Sequence, residues 1–138
     1  MEDKKIYVTF CDLNRLKILL DSATVTGYRN EKTLYLLKTK LKRASVVAPE
    51  SIPSNVVTIN STFKFRNLLT DKVMTFTIVY PKDADITKRK ISILTPVGAS
   101  VFGYSCGDTV HFETPVGVFR LKIEKILYQP EAHGVYLS

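Results

Sequence analysis

The 138-residue sequence has no tryptophan, only two cysteines and two histidines, and no apolar run approaching the roughly 20 residues that a membrane-spanning helix requires. Each shortage removes a class of function. Cys11 and Cys106 are too few for a disulfide framework and too far apart for a metal-ligand spacing, so buried or idle thiols are expected. His111 alternates with Val110 and Phe112 in a strand-like run that puts it on the polar face, and His133 lies in the loop Glu131-Ala-His-Gly134, so no zinc site can be assembled. No Ser-His-acid set, P-loop or glycine-rich phosphate cradle is present, and no cofactor is expected. With six glycines and six prolines, 45% hydrophobic and 24% charged residues, collagen-like and low-complexity chains are excluded. The stretch Met1-Glu-Asp-Lys-Lys5 lacks the apolar centre of a signal peptide, so a cytoplasmic protein without membrane contact is expected. The length suits one compact domain, or a small domain with an appendage.

What the chain has in excess is positive charge, +7 from 20 basic and 13 acidic side chains. Residues 1–50 hold ten basic and six acidic side chains and residues 51–138 hold ten and seven, so neither part is a basic arm. The densest cluster is Lys38, Lys40, Lys42 and Arg43, where positive charge also suits a helix C-terminus. Direct nucleic-acid binding stays open as an alternative function, although no groove-reading helix, RNP aromatics or zinc finger accompanies the lysines.

The hydrophobic period changes near residue 50. Leu13, Leu16, Leu20 and Ala23 recur at spacings of three, four and three, and Leu34, Leu37, Leu41 and Ala44 repeat them. Two short helices are predicted, with Asp12 and Asn30 as N-caps, joined through Thr24–Asn30 into an antiparallel hairpin. Pro49 and Pro53 then stop helix and predict an extended linker. Beyond it the period is two: Phe63 and Phe65; Met74, Phe76, Ile78 and Tyr80; Phe119, Leu121 and Ile123. These read as half-buried strands of an antiparallel sheet, and the shift from Ile123 to Ile126 predicts a bulge. Val97–Phe102 does not alternate and suits a short helix, with Pro96 in its first turn and Gly103 at its end. The predicted class is α+β: a helical hairpin over 1–48, and over 49–138 a bent sheet holding one small helix.

The segments Val46-Val-Ala-Pro-Glu-Ser-Ile-Pro53, Thr77-Ile-Val-Tyr-Pro-Lys-Asp-Ala-Asp85, Ile91-Ser-Ile-Leu-Thr-Pro-Val-Gly98, Tyr104-Ser-Cys-Gly-Asp108 and Leu127-Tyr-Gln-Pro-Glu-Ala132 resemble the Rnk family, regulators of nucleoside diphosphate kinase and a branch of the GreA/GreB transcription elongation factors. The resemblance runs from about residue 8 to 135. It implies an N-terminal antiparallel coiled coil, an FKBP-like C-terminal domain, and RNA polymerase as partner, bound at the rim of its secondary channel, with nucleic acid met only through polymerase. In cleavage factors of this kind, acidic residues at the coil tip hold a metal ion that promotes RNA hydrolysis. Here the tip offers Tyr28 and Arg29, and its nearest carboxylates are Asp21 and Glu31, on opposite arms. They face one another across the turn or simply complement helix ends. A second helix from Asn30 to Ala44 spans only about 21 Å. The expectation is therefore a monomeric, non-enzymatic polymerase-binding regulator that competes with Gre factors, without a metal site or transcript cleavage. The resemblance places the docking surface at Ser92-Ile-Leu-Thr-Pro96 and the helix after it, hence Leu94, Thr95, Pro96, Val97, Gly98 and Ser100. The competing reading is that Thr95 and Pro96 merely start a helix. Tyr80–Asp85 is a second, lesser patch. Prolyl isomerase activity, suggested by the FKBP-like fold, is a third alternative; it needs an aromatic pocket, whereas the strand pattern assigns the aromatics to the core.

Overall fold

The computed structural model of the chain describes residues 5–25, 31–114 and 116–136. Strand β1 (Tyr7–Thr9) leads into helix α1 (Phe10–Val25), and helix α2 (Glu31–Arg43) returns to strand β2 (Ser45–Val47). The two strands pair in parallel, Tyr7 opposite Ser45 and Thr9 opposite Val47, so the feet of the hairpin are tied together by backbone hydrogen bonds. Neither strand is legible from period, because three residues are too few to show one. The N-cap of α1 is Thr9, whose Oγ1 accepts from the Asp12 amide at 3.1 Å; Asp12 itself lies one turn inside, against the expectation that it caps. The side chain of Ala23 and the whole of Tyr28, Arg29 and Asn30 fall outside the described residues.

A 3₁₀ turn at Pro49–Ser51 occupies the linker. Then follow β3 (Thr62–Asn67), β4 (Val73–Val79), β5 (Lys90–Ser92), helix α3 (Pro96–Val101), β6 (Thr109–Thr114) and β7 (Gly117–Tyr128). The five strands form one sheet in the order β5-β4-β3-β7-β6. The sheet is mixed rather than wholly antiparallel, since β5 runs parallel to β4, with Ile91 opposite Ile78. The connection that permits this is the pair of 3₁₀ turns at Pro81–Asp83 and Ile86–Lys88, which carry the chain back along the edge. The bulge is where the slipped period puts it: Lys64 faces Lys125 and Phe65 faces Ile123, leaving Glu124 unmatched.

One core joins the helices to the sheet. Leu16 and Leu20 of α1, and Leu34, Leu37 and Leu41 of α2, share a cluster with Phe63, Phe65, Ile78, Phe102 and Ile123. The leucine stripes thus cover the sheet's core as well as each other. Among the described residues no helix is long and apolar enough to cross a membrane.

Candidate functional site

The expected docking segment is a rigid turn. Ser92 Oγ accepts from the Leu94 amide at 3.0 Å, Thr95 Oγ1 donates to the Ser92 carbonyl at 2.7 Å, and the same hydroxyl accepts from the Gly98 amide at 3.1 Å, capping α3. Thr95, Pro96 and Val97 are half-exposed. Leu94, included in the expected docking surface, is instead 6% exposed and part of the core, and Gly98 and Ser100 are buried as well. The reachable surface therefore narrows to Thr95, Pro96 and Val97, because a six-residue helix lying against β6 must turn its other side inward. A Cβ on Gly98 would stand 2.5 Å from the Ser92 carbonyl oxygen. Gly98→Ala is expected to force the turn open and to cost about 2 kcal/mol or more, read as a lowered urea midpoint at unchanged m.

At the opposite end of α3 lies Lys40, buried although it belongs to the Lys38–Arg43 charge cluster. Its ammonium donates to the carbonyls of Ala99 at 2.6 Å, Ser100 at 2.8 Å and Phe102 at 2.8 Å. These are the carbonyls left over at the end of α3, so one side chain of α2 closes the C-terminus of that helix. Three donors meet three acceptors, a match only the protonated amine can make. The Tyr104 ring stands 4.7 Å away, and the Tyr104 hydroxyl accepts from Arg43 at 2.9 Å. Burial, and the neighbouring Arg43 charge, push the Lys40 pKa well down from the usual lysine range. A signal was available in the sequence: Thr33, Leu37 and Lys40 follow one another at spacings of four and three, along the border of the leucine stripe.

A second polar cluster lies at the foot of α1. Asp12 is 3% exposed, its Oδ1 accepts from the Tyr80 hydroxyl at 3.4 Å, and its Oδ2 has no partner. Burial, reinforced by the negative charge of Glu131, raises the Asp12 pKa to about 7. Burial likewise raises Glu131, whose Oε1 accepts from Thr58 Oγ1 at 2.8 Å.

At the other end of the hairpin, Asp21 and Glu31 are both exposed. Asp21 borders a groove of about 540 Å³ floored by Leu13, Leu20 and Leu41 and rimmed by Lys17, Lys38 and Lys42, a setting that opposes a bound cation. Tyr28 and Arg29 lie outside the described residues. No group of three or more potential metal ligands occurs among the described residues. Cys11 is half-buried, whereas Cys106 is exposed rather than buried, its Sγ donating to the Glu124 carbonyl at 3.1 Å. Phe63, Phe65, Phe76 and Phe102 are buried in the core.

Residues 52–128 match the family model described as "Transcription elongation factor, GreA/GreB, C-term". Over 138 residues, covering 99% of both chains, the sequence is 38% identical to the Regulator of nucleoside diphosphate kinase of Escherichia coli K12. It is 34% identical over 104 residues to Transcription elongation factor GreA of Chlorobium limicola, covering 75% of this chain and 65% of that one. Among solved structures, a prokaryotic transcription elongation factor GreA/GreB from Nitrosomonas europaea superposes with a TM-score of 0.73 at 39% identity, covering 91% of this chain and all of that one. The matched family segment contains the Thr95–Val97 turn, α3 and all five strands of the main sheet.

Proposed function

The chain belongs to the GreA/GreB family of transcription elongation factors, and from that premise we propose that it is a transcription regulator that binds RNA polymerase at the rim of the secondary channel and competes there with Gre factors, without cleaving transcripts. In this reading residues 49–138 form an FKBP-like docking domain, and residues 1–48 form a short coiled-coil hairpin that enters the channel mouth. The observation that carries it is the Thr95-Pro96-Val97 turn, half-exposed, locked by its own hydroxyl network and lying within the family-matched segment. A turn already fixed in shape loses little entropy on binding.

The absence of cleavage follows from reach and charge. Helix α2 has 13 residues, about 20 Å of helix, and the match to the Chlorobium GreA spans only 65% of that longer protein. The carboxylates nearest the tip, Asp21 and Glu31, stand on separate arms, and Asp21 shares its groove with three lysines. A hard cation needs convergent oxygen ligands, and lysines repel it. The protein acts by occupying a site, as a monomer in the cytoplasm and without a cofactor.

Co-migration with core RNA polymerase in gel filtration, and displacement by a Gre factor, test the docking. Val97→Asp introduces a charge on the exposed side of α3 and is expected to weaken co-migration at least tenfold, with Pro96→Ala weaker in effect. Wild-type levels of complex with Val97→Asp would move the docking surface elsewhere. On a backtracked elongation complex the protein is expected to leave the RNA uncut. Shortening that disappears with Asp21→Asn or Glu31→Gln would overturn the non-catalytic reading.

A further inference from the structure

The open face of the five-stranded sheet carries a basic ladder that the docking turn does not use. Alternation along β3 sends Phe63 and Phe65 into the core and Lys64 and Arg66 to the opposite side. Along β7 it buries Leu121 and Ile123 and exposes Arg120 and Lys122. The bulge at Glu124 then brings Lys125 back to the open face, opposite Lys64. Register completes the ladder: Lys64 faces Lys125, Arg66 faces Lys122, and Arg120 faces His111 of β6.

Like charges directly opposite one another on a sheet oppose folding, and two such pairs stand side by side here. Arg66 has carboxylate partners, Glu124 at 2.7 Å and Asp71 at 3.0 Å. Lys64, Arg120, Lys122 and Lys125 form no ion pair among the described residues. Arg66, Lys122 and Lys64 all act to hold the Glu124 carboxyl below its usual range, so they converge on one point. Toward β4 the face continues as the hydroxyls of Thr62, Thr75 and Thr77 in a groove of about 490 Å³ flanked by Lys88 and Arg89. Past Lys125, Tyr128 is 39% exposed and stacks on His133, with ring centroids 4.9 Å apart.

We propose that this face binds single-stranded nucleic acid, with Lys64, Arg120, Lys122 and Lys125 on the phosphates and the Tyr128–His133 stack against a base. A positive surface beside an aromatic platform is what a single strand needs, since phosphates supply the affinity and every base has a face to stack. An acidic protein partner fits less well. The apolar side chains beside the centre of the face are two separate valines, Val73 opposite Arg66 and Val118 two residues before Arg120, and the centre itself is Lys64, Arg66, Lys122 and Lys125, so no contiguous apolar patch seeds a dry interface core. From Arg120 to Tyr128 the strand spans about 25 Å, enough for several nucleotides. The inference does not depend on polymerase binding and is tested in its absence.

The experiment is fluorescence anisotropy of the full chain with a labelled single-stranded oligouridylate, over a series of potassium chloride concentrations. Four phosphate contacts predict a slope of log affinity against log salt of about −3. The quadruple variant Lys64→Gln, Arg120→Gln, Lys122→Gln, Lys125→Gln is expected to bind at least about 30-fold more weakly with a nearly flat salt slope. Relief of the cross-strand repulsion should at the same time raise its melting temperature by about 2–5 °C, which separates lost binding from lost fold. Tyr128→Ala should lower affinity about 5- to 100-fold with the slope kept. The variant Lys38→Gln, Lys42→Gln should bind as wild type. Failure of the wild-type chain to bind in low salt, or undiminished binding by the quadruple variant, overturns the proposal. So does loss of binding in the Lys38, Lys42 variant alone, which would place the site on the hairpin. Displacement of the oligonucleotide by polyglutamate as readily as by unlabelled RNA, with Tyr128→Ala neutral, would assign the face to an acidic protein instead.

Discussion

Replacing Lys40 by alanine is expected to cost about 3–5 kcal/mol of folding stability, a large share of what a domain of this size possesses. Three buried carbonyls, those of Ala99, Ser100 and Phe102, lose their donor together, and the stem of the side chain leaves a cavity between α2 and α3. Each unsatisfied acceptor contributes about 1–3 kcal/mol. Lys40→Met keeps most of the volume and isolates the polar loss, so it should fall close to the alanine variant. Urea denaturation checks both, with a lowered midpoint at constant m as the expected result. A methionine variant within about 1 kcal/mol of wild type would show that the ammonium is replaceable there, by solvent or by rearrangement. Because the same carbonyls end the helix that begins at Pro96, the loss should also loosen the proposed docking turn. Amides of α3 should then exchange faster than those of β3 and β7, and polymerase co-migration should weaken although Lys40 itself is out of a partner's reach.

The stability of the protein should fall as pH rises from about 4 to about 7, and Asp12 should be the main cause. With its pKa lifted from 3.8 to about 7 in the folded state, its carboxyl is protonated in both states below pH 4 and contributes nothing there. Between those values the folded state keeps a proton that the unfolded chain releases, so unfolding is favoured progressively. Above pH 7 both states are ionised and the penalty is complete, at a ceiling of about 4 kcal/mol from about 1.36 kcal/mol for each unit of displacement. Glu131 is displaced in the same direction and adds to the slope. Asp12→Asn cannot ionise and should be more stable than wild type at pH 8 by about 2–4 kcal/mol, while the two converge near pH 4. Denaturant midpoints at four pH values between 4 and 8 provide the check. Parallel wild-type and variant curves would mean that Asp12 is ionised throughout, with Oδ2 solvated.

Much of the architecture is legible because it is written in local period. The leucine spacings mark both helices, the alternating runs mark three strands, and the change of phase after Ile123 marks the bulge at Glu124. The Thr95 cap and Pro96 start of α3 are equally readable, since a cap is chosen by residues within one turn of it. The site is less legible than the fold. Leu94 occupies a docking position in the resemblance but enters the core, as an apolar side chain does wherever the turn permits. Asp12 looks like a cap because it precedes the first leucine, yet Thr9 supplies the oxygen one turn earlier.

Period, turn residues and motif order carry the helical hairpin, the bent sheet with its small helix, and the kinship with the GreA/GreB factors. Each of these depends on residues a few positions apart or on motifs kept in order along the chain. Long-range packing instead sets three features: β5 joins in parallel, Lys40 closes a helix 59 to 62 residues away, and lysines of β3 and β7 stand face to face. The physical reason is common to all three. A charge or a strand edge acquires its energy from what is placed against it, and in this protein the neighbour comes from a distant part of the chain. Lysines equal in composition thereby differ in place: Lys40 is a buried clamp, whereas Lys64, Lys122 and Lys125 belong to an open, self-repelling ladder.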